Sequence, residues 1–111
     1  MSKNLPKKLK IGRGEYEVRH IAKKTSVADI KDYGECDFEK QLITMWGRQP
    51  TKELADTLIH EALHGMIRTN NIKFRSSREE EKYVRHFTGI VITLLQDNPE
   101  LLKYLGSMLH K

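Results

Sequence analysis

A single cysteine, Cys36, is all that the 111 residues contain. No internal disulfide can form, so no covalent framework stiffens the fold, and a reducing compartment is the natural home. Long apolar runs are also missing: no stretch approaches the roughly 18 unbroken apolar residues that a membrane span needs. The first ten residues, MSKNLPKKLK, lack the apolar core of a secretory signal. These absences point to a cytoplasmic protein with no membrane partner. Internal repeats and low-complexity tracts are absent, and the length leaves no room for separate catalytic and substrate domains. Residues 1–111 therefore read as one domain, and 38% hydrophobic with 32% charged residues suits a compact core under a charged surface.

Charge of one sign is concentrated at the start. Residues 1–24 hold eight Lys or Arg against Glu15 and Glu17, a balance of +6 within a whole-chain charge of +5, so residues 25–111 carry −1. Residues 1–10 read as a flexible basic arm that could attract nucleic acid or an acidic partner by salt-sensitive attraction. The plainer reading of the same charges is a solvated face.

Two halves differ in hydrophobic period. Residues 8–11 and 16–21 alternate polar with apolar around Gly12-Arg13-Gly14, a hairpin signal. Residues 34–38 and 41–46, separated by Glu39 and Lys40, form a second pair rich in aromatic and β-branched side chains, with Met45 and Trp46 as core or cleft wall. Residues 22–33 read as a loop. After Pro50 the period becomes helical, with Thr51 placed to cap the first turn and Glu53 near its positive end. Apolar residues at 54, 55, 58, 59, 62, 63, 66 and 67 form one broad buried stripe. Ser77-Arg-Glu-Glu80 has the capping-box pattern of a second helix, running to about Gln96 with Tyr83, Val84, Phe87, Ile90, Val91, Leu94 and Leu95 as its apolar positions. Asn98 caps a third helix with Pro99 at its first position, and Leu101, Leu102, Tyr104, Leu105, Met108 and Leu109 supply its buried side. The expected fold is α+β: a small antiparallel sheet of about four strands in the N-terminal half, packed on three helices.

Residues 60–64 of the first helix read His-Glu-Ala-Leu-His, the H-E-x-x-H pattern. His60 and His64 lie one turn apart on one face, about 40° and roughly 6 Å from each other, so both imidazoles can reach one metal ion. Glu61 falls beside such an ion rather than at it, where a carboxylate can take a proton from water without using a coordination site. The histidines lie off the apolar stripe, so packing does not account for them. A catalytic zinc takes a third protein ligand, and the next helix offers Glu79, Glu80 and Glu81. Glu80 is accounted for as the partner of Ser77, and Glu79 as a charge at the helix N-terminus. Glu81, three residues before Val84 and ten before Val91, sits at the inward-facing edge and is the first choice, with Glu80 the second. As a transition-state donor, Tyr83, Tyr104 and His86 stay open. His20 and His110 have no ligand-spaced neighbour, and Cys36 reads as a small buried hydrophobe.

On these residues the chain resembles zincin-class metallopeptidases, and among them the ImmA/IrrE-like proteins and their short phage-encoded relatives. The similarity is carried by the hairpin at 34–45, by Leu58-Ile-His-Glu-Ala-Leu-His64, and by Glu80-Glu-Lys-Tyr-Val84 leading to Pro99. It implies a minimal zincin-like fold, one zinc ion held by His60, His64 and a glutamate early in the following helix that matches Glu81, and residence in the cytoplasm of a bacterial host. It also implies a substrate-pairing edge at the strand 41–46, and a repressor or another regulatory protein as target. The metzincin extension is missing, since Ile67 and Asn70 stand where Gly and His would be needed.

Two functions follow as expectations. The first is a zinc-dependent endopeptidase that hydrolyses a protein or peptide with Glu61 as general base. The alternative is a non-catalytic, phage-type regulatory or binding module with a structural or vestigial metal site, whose basic arm engages nucleic acid or a host protein.

Overall fold

Alternating burial forms the strands of the first hairpin, Lys8–Ile11 (β1) and Gly14–Ile21 (β2), in which Ile11, Tyr16 and Val18 point inward. The turn between them has two residues, and Gly12 takes φ +64°, the left-handed value that the first position of such a turn requires. A Cβ on Gly12 would also collide with the Thr69 side chain, so the turn lies against the end of the first helix. The second hairpin joins Gly34–Asp37 (β3) to Leu42–Trp46 (β4) through a four-residue loop, longer than the two residues its pattern suggests. Asp37 Oδ1 accepts from the backbone N–H groups of Glu39 and Lys40 at 3.1 and 3.0 Å, and Gln41 completes the turn at φ +51°.

The computed structural model describes residues 5–21 and 33–111, so the loop expected at 22–33 lies almost wholly outside the described residues. Its fold is α+β, with four strands followed by three helices. The sheet is mixed rather than antiparallel, in the order β1-β2-β4-β3, because β2 pairs with β4 in parallel. That pairing brings together two strands from different hairpins, which local periodicity cannot register. It also corrects the expected substrate edge: β4 is hydrogen-bonded on both sides, by β2 and β3, and the outer strands among the described residues are β1 and β3. Of the expected basic arm, residues 1–4 lie outside the described residues, whereas Lys8 and Lys10 belong to β1 and Leu5 and Leu9 pack against the core.

Thr51–Thr69 (α1) lies across the sheet and closes the core, its Leu54 and Leu58 meeting Ile11, Tyr16, Val18, Ile43 and Met45. Ile43 and Met45 are fully buried, each contributing about 1.5–3 kcal/mol by leaving water. Thr51 is the first helical residue rather than the cap; Pro50 holds that position without a side-chain hydrogen bond. The broad stripe is in fact two buried faces. Leu54, Leu58, Glu61 and Gly65 face the sheet and Ile67 is buried on another side, while Ala55 and Met66 are exposed between them. The residue count could not separate them, because a helix packed from two sides shows apolar residues over most of its circumference.

Ser77–Asp97 (α2) packs on α1, and among the described elements Pro99–Leu109 (α3) packs on α2 alone. The periodic apolar positions of these helices are mostly uncovered: Tyr83, Phe87, Ile90 and Leu94 form an exposed row along α2, and α3 buries no residue. Period shows that a face is apolar, not that a neighbour exists to cover it. Among the described residues, no helix is long and apolar enough to cross a membrane.

Val84 and Thr88 are the buried side chains of α2, and Thr88 Oγ1 has no hydrogen-bond partner among the described residues. A buried hydroxyl without a partner costs more than a methyl of the same shape. Thr88→Val is therefore expected to raise stability by about 1 kcal/mol, read as a higher denaturation midpoint at an unchanged slope.

Candidate metal centre

Helix phase delivers the two histidines to the α1–α2 interface. His60 and His64 are part-buried, with 15% and 16% of their side chains exposed, and their rings meet edge to face at 5.0 Å. Across the interface, the start of α2 decides which glutamates can reach them. The cap is Ser76, whose Oγ accepts from the Glu79 N–H at 3.1 Å, while Glu79 Oε1 accepts from the Arg75 N–H at 3.1 Å. The expected Ser77–Glu80 box is therefore displaced by one residue: the sequence has serine at both 76 and 77, and glutamate three residues after each. Glu80 is left available for another role.

Glu81 faces both histidines. Its Oε1 lies 2.9 Å from His64 Nε2 and 3.1 Å from His60 Nε2, and its Oε2 accepts from Arg85 Nη2 at 2.9 Å. Glu80 takes the other side of the His64 ring, with Oε2 2.7 Å from Nδ1. The structure thus brings His60, His64 and Glu81 together, with one ligand atom from each lying within 4.8 Å of the others. Bonds of about 2.0–2.1 Å at tetrahedral angles would place such atoms roughly 3.3 Å apart, a few tenths of an ångström from the two imidazole–carboxylate contacts of 3.1 and 2.9 Å. Two imidazoles and a carboxylate are a donor set that suits zinc, and the residues fit the ion.

The electrostatics follow from the same contacts. Burial alone would lower the pKa of His64, but hydrogen bonds to Glu80 and Glu81, aided by the charges of Glu61 and Glu81, outweigh it and raise the value above 6.5. For Glu81, burial works toward a higher pKa. The His64 hydrogen bond, the His60 charge and the hydrogen bonds from Arg85 and His60 prevail and hold its carboxyl below 4.5.

Glu61 is 8% exposed, on the sheet-facing row of α1, and lines a cleft of about 480 Å³ with both histidines and Glu81. Tyr33, Gly34 and Arg85 also line that cleft. Gly34 has a steric role here. A Cβ on it would stand 2.8 Å from Thr57 Cγ2 and 3.3 Å from Glu61 Cγ, so the absent side chain lets β3 approach α1 beside Glu61. Gln49 fixes this rim: its Nε2 donates to the carbonyls of Tyr33 and Trp46 at 3.1 and 2.9 Å, and its Oε1 accepts from Thr57 Oγ1 at 2.7 Å.

The other sequence candidates fall elsewhere. Tyr83 stacks between Phe74 and Phe87, Tyr104 is exposed on α3, and His86 lines a different cleft on α2. His20 Nε2 pairs with the Gly47 carbonyl at 2.8 Å, and His110 Nδ1 with that of Gly106 at 3.0 Å. Burial, with the charges of Glu61, Asp37 and Glu35, pushes the Cys36 thiol up to about 12, so it stays protonated against the core. Sequence reasoning missed Tyr33 and Arg85. Arg85 carried a usable signal, one helical turn after Glu81; Tyr33 stood at the end of the segment read as a loop. No family model, curated protein or solved structure matches the chain.

Proposed function

We propose that the protein is a zinc-dependent endopeptidase holding one ion per chain. The observation that carries this reading is the convergence of His60, His64 and Glu81 next to a buried Glu61 that shares their cleft. A divalent ion held by those three side chains supplies Lewis acidity, lowering the pKa of water and polarising a carbonyl. Glu61 acts as general base: its carboxylate accepts a proton from the attacking water and delivers it to the leaving amine. Tyr33 and Arg85, the donors at the rim, suit the negative charge that develops on the substrate oxygen.

Strand β3 gives the reading its substrate. Among the described residues it is an outer strand of the sheet, its first residue lines the cleft, and an extended peptide added at such an edge gains backbone hydrogen bonds that do not depend on side-chain identity. A protein or peptide substrate in the bacterial cytoplasm fits this arrangement and the chain's unpaired cysteine, and the ImmA/IrrE-like resemblance adds a regulatory protein as the target.

The test combines metal content with cleavage. Purified protein should contain about one zinc per chain and, with unfolded casein or a mixed peptide library, should give products detectable by mass spectrometry. A chelator should stop cleavage, and added zinc should restore it. Loaded protein that cleaves nothing in such a library would favour a non-catalytic, metal-binding module.

A further inference from the structure

We infer that Glu80 is the positioning residue of the metal centre, holding the Nδ1 proton of His64 so that Nε2 presents its lone pair to the ion. The inference rests on the metal reading above and adds a second carboxylate with a role distinct from that of Glu81.

One imidazole stands between two carboxylates. His64 Nδ1 lies 2.7 Å from Glu80 Oε2, and His64 Nε2 lies 2.9 Å from Glu81 Oε1. A neutral ring carries a single proton, and the nitrogen that keeps it cannot ligate. His60 settles which one that is, because its Nε2 contacts Glu81 and converges with His64 Nε2, not Nδ1. The ligating atoms are therefore the two Nε2 nitrogens and Glu81, and the remaining proton of His64 sits on Nδ1, donated to Glu80.

The backbone of Glu80 belongs to the first turn, its N–H donating to the Ser76 carbonyl at 3.1 Å, but its side chain is not part of the cap, which uses Glu79. Only 27% of the Glu80 side chain is exposed, so its carboxylate meets His64 in a partly dry interface, where a charge-assisted hydrogen bond is strong. A carboxylate on the far nitrogen fixes the tautomer and the ring orientation and makes the near nitrogen more basic.

The test measures zinc affinity by competition with a chromophoric chelator for wild type, Glu80→Gln, Glu80→Ala and Glu81→Ala. Cobalt-substituted visible spectra of each, and nitrogen NMR of the histidine rings, complete the set. Glu80→Ala is expected to bind one zinc about 10–100-fold more weakly while keeping the wild-type cobalt spectrum, and to lose the protected Nδ1 proton. Glu80→Gln, whose amide oxygen still accepts from Nδ1–H, should fall between wild type and Glu80→Ala and serves if the alanine variant does not fold. Glu81→Ala should change the cobalt spectrum through loss of a ligand. Unchanged zinc affinity in Glu80→Ala would overturn the role while leaving the metal reading intact. Loss of the ion with a spectral change like that of Glu81→Ala would make Glu80 a ligand and overturn it equally. A wild type that takes up no zinc would overturn both readings.

Discussion

Glu61→Gln is expected to lower peptide hydrolysis by about 10²–10⁴-fold, the usual contribution of a positioned general base, with zinc stoichiometry unchanged. The side chain is buried where β3 comes closest to α1, its Cγ facing the space that a Gly34 side chain would fill, so a replacement must keep its shape. Glutamine does so while removing the negative charge and the capacity to accept and release a proton. The glutamate is absent from the set of converging ligand atoms, so the ion should stay bound. Steady-state kinetics on a peptide found in the library screen, with metal analysis of the same samples, makes the comparison. A variant as active as wild type would remove Glu61 from the mechanism, whereas one that lost zinc together with activity would make it a ligand.

The second large effect concerns stability. The ion would join α1 to α2, and among the described elements α2 packs on the sheet side of the molecule through α1. At a free-zinc concentration of about 100 times the dissociation constant, binding adds roughly 2.7 kcal/mol, or on the order of 10–20 °C in melting temperature for a domain of this size. A chelator should remove that increment from wild type and change nothing in His60→Ala, His64→Ala or Glu81→Ala. Melting curves that coincide with and without zinc would refute the site.

The pH dependence should differ in sign between the two forms. Without metal, the raised pKa of His64 gives stability that is fully present below 6.5 and lost as pH rises through the folded-state value. The lowered pKa of Glu81 gives stability present above 4.5 and lost as pH falls through its folded-state value. The metal-free contribution of this pair is thus greatest between the two. Zinc would take the place of the Nε2 proton, so its binding should strengthen with rising pH. The gap between loaded and metal-free melting temperatures should widen from pH 6 to pH 8.

Much of the site was readable because its geometry is local. His60, Glu61 and His64 lie within five residues of one helix, where spacing alone sets their relative directions, and the structure puts all three on one cleft. Glu81 was reachable from its phase against Val84, which is 1% exposed. What spacing could not supply was choice among equals. Two serines each precede a glutamate by three residues, and either pair satisfies the capping pattern; the contacts of Glu79 select Ser76. The same limit applies at larger scale. Both hairpins were evident from alternation, yet the parallel pairing of β2 with β4, which makes β3 an outer strand, joins residues far apart in sequence. The apolar rows of α2 and α3 have the right period and lack neighbours to bury them among the described residues.

The cap at Ser76 also sets how the site tolerates changes in chain length. Three consecutive glutamates answer to three different partners, the Arg75 N–H, His64 Nδ1 and the paired Nε2 atoms, and the helix sends each about 100° from the last. Their phase is counted from the capping residue. An extra residue in the connection ahead of Ser76 is absorbed by the loop, because the helix restarts its count at the cap. An extra residue between Ser76 and Glu79 turns every later side chain by about 100° and carries Glu81 away from the histidines. Insertions a few residues apart would therefore have opposite fates, one silent and the other dismantling the centre.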